Sequence, residues 1–538
     1  MKNRLGIQYI SSSNTNVASW NNNLTSGQNL GKMGTNSGSL IRKFNHCKGS
    51  GVPDVLECTL NPGCCPQKQE EEIEEIQIYS VAGGIYQDTN KSTYPFVYNQ
   101  VNGEWDSVAT DISFSNAATD PNALISTVSS SAPGYAVAGG LYNDRNNKTL
   151  AFVVNQKEGV WDSFVTDISF VNAATNPYAV IFMSSVSSSA PGYAVAGGLY
   201  QDTNNKTQAF VVNQKEGVWD SVATDISFVN AFTNPNAGII SVSSSDPSYA
   251  VAGGFYQDAN NHRQAFVINQ VKGTWDSVAT DISFVNAAPN PFASITSVSS
   301  SAHGYAVAGG SYNDANGGYQ AFVVNQAYGT WGTPTDISFI NPPTYQFPSI
   351  TSVSSSAPDH AVAVGYFQGK SSSRSKSFII NQTNGHWDTT ATFVDFANLA
   401  IDPYSVINSV SSPAPNYAVA GGTYLDSENR TQAFVINQVK GTWQQPLQIT
   451  LPYDACLNST VVGRVCSVSA SAPGYAVAGG TYKNTTGFYE SFVINQVNGI
   501  WQQPAIKVPG SSYSRIKDIL QPIHVSSVAK KVKVKVKK

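Results

Sequence analysis

The sequence predicts an all-β chain: a single β-propeller of about eight four-stranded antiparallel blades, its ring closed by a C-terminal strand. Three observations predict it. One stretch recurs eight times, with copies beginning at Tyr79, Tyr135, Tyr193, Tyr249, Tyr305, His360, Tyr417 and Tyr475, so successive starts lie 55 to 58 residues apart. A fixed period of this size marks a repeat architecture. Each copy is a series of short apolar runs parted by turn residues, without a 3.6-residue periodicity, which points to hairpins. There are four such runs per copy, which is the content of one propeller blade.

The elements follow in order. Residues 1–75 are rich in Ser, Asn and Gly and lack a patterned apolar face, so they read as a largely disordered leader. Its end, EEEIEEIQI, reads as a solvated acidic connector. The propeller spans 76–528. In most copies an ITSVSSS-type run comes first. YAVAGG is the second run, QAFVVNQ the third, and the run from the Trp to TDISF the fourth. Turns such as DTNNKT and KEG join them, with Asn, Asp and Gly where chain reversal needs them. Blade one lacks a run of the first type upstream. Ile523–Val528, IHVSSV, resembles it, so this segment is expected to pair into blade one and remove an open sheet edge. Residues 529–538 form a Lys/Val tail, read as solvated, with contact to an anionic surface as the other reading.

In the third copy the repeated residues are Gly197, Gly198, Tyr200, Phe210, Asn213 and Trp219. The Gly pair is expected to allow close backbone approach or a bulge. The Trp and Phe columns are expected to pack between blades. The Asn is expected to bond its own backbone and fix the turn after the third strand. The Asp of YxD, as at Asp202, opens a hairpin; the D-x-N-N echo of a calcium loop lacks the bidentate Glu, so a turn is expected rather than a metal. Asn-x-Ser/Thr triplets within the repeats, such as Asn147 and Asn205, fall where turns favour these residues anyway.

Gly197-Gly198, Tyr200 and then Trp219 resemble the Kelch repeat, and the AVAGGxYxD…AFVVNQxxGxW wording is similar to that of uncharacterised bacterial repeat proteins. The likeness covers about residues 76–508. It implies a propeller and no particular function, since propellers serve binding proteins, scaffolds and enzymes alike. Eight units are more than Kelch proteins commonly carry.

Charged residues make up only 12% and the net charge is −4, which leaves no basic face for nucleic acid. No run of 18 apolar residues offers a membrane span, and the N-terminus lacks the apolar core of a Sec signal peptide. That leaves an intracellular location or export by another route. Cys47, Cys58, Cys64 and Cys65 cluster before the repeats without zinc-site spacing, and no metal or cofactor is expected. Cys456 and Cys466 flank one loop, and both a local disulfide and two thiols stay open.

Variation between copies points to function. The loops entering the first run of each blade differ most and should gather on one rim with the second-to-third-strand hairpins. They carry Tyr178, Phe232, Phe292, Tyr345, Phe347, Tyr404 and Tyr453. Either these aromatics form a binding surface, or some of them pack under the loops. The six histidines share no blade position, and no nucleophile elbow or phosphate loop occurs, so no catalytic residue is assigned. The chain is therefore expected to be a monomeric, non-catalytic scaffold for a protein partner. A carbohydrate-binding propeller is the alternative, and a glycosidase- or oxidase-type propeller is the third reading.

Overall fold

The structure is a computed structural model. It describes residues 79–521, except 89, 338, 340–346, 369–374, 399, 401–403, 453–454, 456–462 and 509–513. The segments expected to be leader and tail lie outside these residues.

The described chain is all strand and turn, arranged as eight antiparallel sheets, the blades of a β-propeller. The third blade shows the plan. Val180–Ala190 is innermost, Tyr193–Gln201 second and Thr207–Lys215 third. The expected fourth strand is broken into Val218–Trp219 and Thr224–Asp225, which pair separately with the third strand. The YAVAGG strand reads as an unbroken apolar run rather than an alternating one because both of its faces are buried against neighbouring blades.

The core is a set of clusters lying between blades. Val195, Ala209 and Val211 of the third blade pack with Ile239, Val242, Phe266 and Trp275 of the fourth. Fully burying a Phe or Val contributes about 1.5–3 kcal/mol, so each interface is a strong adhesive. The Gly pair serves both expected purposes. A Cβ on Gly197 would lie 2.7 Å from Ile239 Cγ2 of the next blade, and one on Gly198 would lie 2.0 Å from the Val180 carbonyl of its own innermost strand. That innermost strand carries a bulge facing the pair.

The ring is closed by a C-terminal strand, as expected, but by Ser514–Leu520. This corrects the assignment to Ile523–Val528, which lies outside the described residues. The closing strand is SRIKDIL, and Asp518 stands opposite Gly83 where Ser467 of the eighth blade stands opposite Gly479. Likeness in serine content therefore misled. The Ile516-x-x-Ile519 spacing, which repeats Ile239-x-x-Val242 across a bulge, is the true signature.

Around the axis, innermost strands are joined through serines. Ser188 N–H donates to Ser129 Oγ (2.8 Å), Ser244 N–H to Ser187 Oγ (2.9 Å), and the series continues to Gln521 N–H on Ser469 Oγ (3.0 Å). Asp518 takes over this work at the closure, accepting from Ser467 Oγ (2.8 Å) of the eighth blade and Val128 N–H (3.2 Å) of the second.

The Asn-Gln column corrects a second expectation. Its Oδ1 reaches the next blade rather than its own backbone. Asn155 accepts from Trp219 Nε1 (2.8 Å) and Gln214 Nε2 (2.6 Å) of the third blade. A Trp-to-Asn bond of 2.8 to 3.1 Å is present at all eight junctions. The Trp column packs between blades as expected, and its indole N–H is the polar end of a repeated clasp.

Candidate functional site on the loop face

Strand direction puts the variable loops and the second-to-third-strand hairpins at the same end of every blade, as expected. In the second to fifth blades the loop is stitched into place. In the third blade, Ala173 bridges to Asp202, Gln201 N–H donates to the Pro177 carbonyl (2.6 Å), and Ala179 N–H donates to Thr149 of the preceding blade (3.0 Å). In these blades the loop is thus anchored to the hairpin and to the preceding blade despite its irregular backbone.

Asp202 builds the hairpin as a turn residue, accepting from Asn204 N–H (2.8 Å), Lys206 N–H (2.9 Å) and Gln208 Nε2 (3.0 Å). Burial alone would raise its carboxyl pKa, but these bonds and the Lys206 charge hold it below the ordinary value. The Tyr after the Gly pair has a partner the sequence did not disclose. Tyr200 hydroxyl donates to both oxygens of Asp225, the Asp of TDISF (2.9 and 3.0 Å). Burial pushes Asp225 up, although the Tyr200 bond opposes the rise. In the sixth blade both positions change together, to Phe367 and Phe393, whose rings meet edge-on at 6.2 Å.

Of the rim aromatics, Tyr178 (53%), Phe292 (50%), Phe347 (40%) and Phe232 (38%) are solvent-exposed. Tyr404 is half-buried, and Tyr345 and Tyr453 lie outside the described residues. They are spread over successive blades rather than gathered in one cluster. Tyr178 and Phe292 have left-handed backbones, φ 41° and 47°, at positions held by Asn122 (φ 43°) and Asn236 (φ 40°) in sister blades. Asn tolerates this conformation; a residue with a bulky side chain pays roughly 1–2 kcal/mol for it. Phe292 lies 5.1 Å from the Arg263 guanidinium, which also covers Phe255 at 3.8 Å. Phe347 meets Tyr319 edge-on at 4.7 Å.

On the same face a cavity of about 370 Å³ opens beside the closing strand, lined by Tyr404, Arg464, Tyr489 and Arg515 among others. Arg515 sits 4.6 Å over the Tyr489 ring. The sequence reading missed both arginines. Their signal was a charged residue where the second and third blades have Leu124 and Val180. Cys466 is a buried free thiol, and Cys456 lies outside the described residues. Among the described residues no three His, Cys, Asp or Glu side chains are placed to hold a metal, and no helix is long and apolar enough to cross a membrane.

No family model and no curated protein matches the chain. Solved structures similar to it are propellers of diverse activity. The chain is similar to a GH74 xyloglucanase from Xanthomonas campestris, with 12% identity, 78% of this chain and 66% of that one covered, and a TM-score of 0.36. It is similar to the β-propeller domain of the Trilobed protease from Pyrococcus furiosus, with 9% identity, 72% and 98% covered, and a TM-score of 0.37. It is also similar to the fucose-specific lectin from Aleuria aurantia, with 12% identity, 72% and 96% covered, and a TM-score of 0.30.

Proposed function

We propose that the chain is a non-catalytic binding scaffold that engages a protein partner through its loop face. The observation that carries this reading is the placement of Tyr178 and Phe292. Both are exposed aromatics held in a backbone conformation that sister blades give to Asn. Strain kept at an exposed aromatic has no stabilising role in the fold and suits a contact surface. The uniform blades beneath supply rigidity. The alternative is carbohydrate binding by these rim aromatics.

The test compares the full chain with a Y178N/F292N variant, which installs the sister-blade residues. Both are used to capture partners, with cross-links mapped to the rim and a glycan array run in parallel. A partner cross-linked at the rim and lost by the variant supports the scaffold. A partner retained equally by the variant overturns it, and a glycan signal lost by the variant transfers the surface to the carbohydrate reading.

A further inference from the structure

On the opposite face, where innermost and second strands turn, clefts open between blades. The one between the second and third blades measures about 360 Å³ and the one between the seventh and eighth about 470 Å³. They are built from the same columns: Tyr135, Gln156 and Gln214 in the first correspond to Tyr417, Gln438 and Gln496 in the second. Gln214 and Gln496 are only 5% and 3% exposed. Their Nε2 atoms are committed to Asn155 (2.6 Å) and Asn437 (3.0 Å), which fixes the amide orientation. The Oε1 of each has no described side-chain donor and opens to the cleft, where a ligand hydroxyl can supply one.

The fourth and fifth blades show what fills such a place. There Tyr249, the counterpart of Tyr135, is 1% exposed and donates its hydroxyl to Gln326 Oε1, while Gln326 Nε2 holds Asn269 (2.7 Å) in the usual clasp. The Tyr249 ring packs at 4.6 Å against His303, and His303 Nδ1 lies 3.9 Å from Asp246. In the open clefts Pro191 and Pro473 replace the His, and Ala132 and Ala414 replace the Asp. The phenol of Tyr249 is thus a hydroxylated ring seated on the acceptor that the open clefts leave vacant.

We propose that these inter-blade clefts bind sugar residues, and that Tyr249 is a built-in plug of one of them. A sugar offers a hydroxyl to the Gln Oε1 and a ring face to Tyr135 or Tyr417. Further hydroxyls meet Asp162 and Glu216 in one cleft and Gln444 and Asn498 in the other. Carboxylates in the first cleft are amides in the second, so the shared chemistry is hydrogen bonding to a neutral polyol rather than charge pairing. The volumes are those of small-ligand sites. This goes beyond the loop-face proposal and stands without it.

The test is calorimetric titration of the full chain with the methyl glycosides that score on a glycan array. Copying the plug into both open clefts (A132D/P191H with A414D/P473H) lowers the number of bound sugars per chain by two. Y249A raises it by one, and circular dichroism confirms the fold of each variant. If the plugged variant does not fold, the gain in Y249A decides alone. A silent array, or a stoichiometry that no folded variant moves, overturns the proposal. Saturable binding of N-acetyl-tyrosinamide without any sugar signal overturns it in favour of a phenol site. Y178N/F292N leaves the titration unchanged, so the two proposals fail separately.

Discussion

Asn495 Oδ1 accepts a hydrogen bond from Trp105 Nε1 at 3.1 Å, across 390 residues of sequence. It also accepts from Gln100 Nε2 at 2.9 Å, so the last blade clasps the first with the same pair of donors used at the other junctions, save that between the fifth and sixth blades Gln382 Nε2 donates to the Gly385 carbonyl and Trp387 alone holds Asn325. Replacing Asn495 with Ala leaves two donors of the first blade without their acceptor. An unmet buried group costs about 1–3 kcal/mol. N495A is expected to lower the urea midpoint by a corresponding amount, and Gln100→Leu in the same background to add less than it does alone. Full additivity would show that the three side chains do not act as one clasp.

The closing strand is expected to be separable and replaceable. Deleting residues 514–538 exposes the edge of Tyr79–Gln87 and uncovers the core around Ile516 and Ile519. The truncated chain should aggregate or melt well below the full chain, and a synthetic Ser514–Gln521 peptide should restore part of the lost Tm. A truncated chain that melts like the full one would remove this strand from the closure.

The Gly pair predicts an order of damage. Gly197→Ala presses on side-chain atoms of the next blade, Ile239 Cγ2 and Cβ, which can give by a small shift between blades, and should cost about 1–3 kcal/mol. Gly198→Ala presses on the Val180 carbonyl, which cannot move without breaking the ladder, and should cost more. Thermal melts of the two variants give the comparison, and the reverse order would refute the contact argument.

The pH dependence centres on two adjacent residues of the closing strand. Burial raises Asp518 to about 7, against the opposing bonds from Ser467 and Val128. Burial also lowers Lys517 to about 7, with Arg515 and Arg464 adding to the fall and Cys466 opposing it. The raised Asp contributes stability that is full below its unfolded value of about 4 and is lost as pH rises through about 7. The lowered Lys contributes stability that is present above its unfolded value of about 10.4 and is lost as pH falls through about 7. Together they give a stability minimum near neutrality. Asp518→Asn should remove the fall between about pH 4 and 7, and Lys517→Met the rise between about pH 7 and 10.4. Tm against pH for the three proteins reads both limbs.

Relief of strain on the rim is the last expectation. Y178N and F292N should each leave Tm unchanged or raise it, by up to about 1 kcal/mol of stability, because Asn tolerates the left-handed backbone. A clear loss of stability in both would mean that the aromatics pack beneath the loops after all.

The fold was legible because its signals are local and repeated. YAVAGG, QAFVVNQ and the Asp202 turn each declare themselves within ten residues, and eight copies make chance agreement negligible. Most of what stayed hidden links residues about 60 apart, although the Tyr200–Asp225 bond spans 25. Asn155 reads as a turn residue in isolation, since nothing nearby reveals that its partners are Gln214 and Trp219. Nothing in the SVSSS run itself shows that Ser129 and Ser187 cap amides of the next blade. The closing strand was misplaced for the opposite reason: Asp518 performs a serine's task under a different letter. On the rim, sequence located the aromatics but could not show that Tyr178 and Phe292 sit on strained backbone.

The clasp has a direction: each blade offers an Asn to the blade after it and a Trp to the blade before it. Such a connector is the same at every joint, so it carries no information about which unit stands next to which. Whole units can be gained, lost or exchanged during duplication without redesigning a joint, and the number of units is left to the angle at which neighbours wedge together. Only the closing strand, with its lone Asp518, marks where the circle begins.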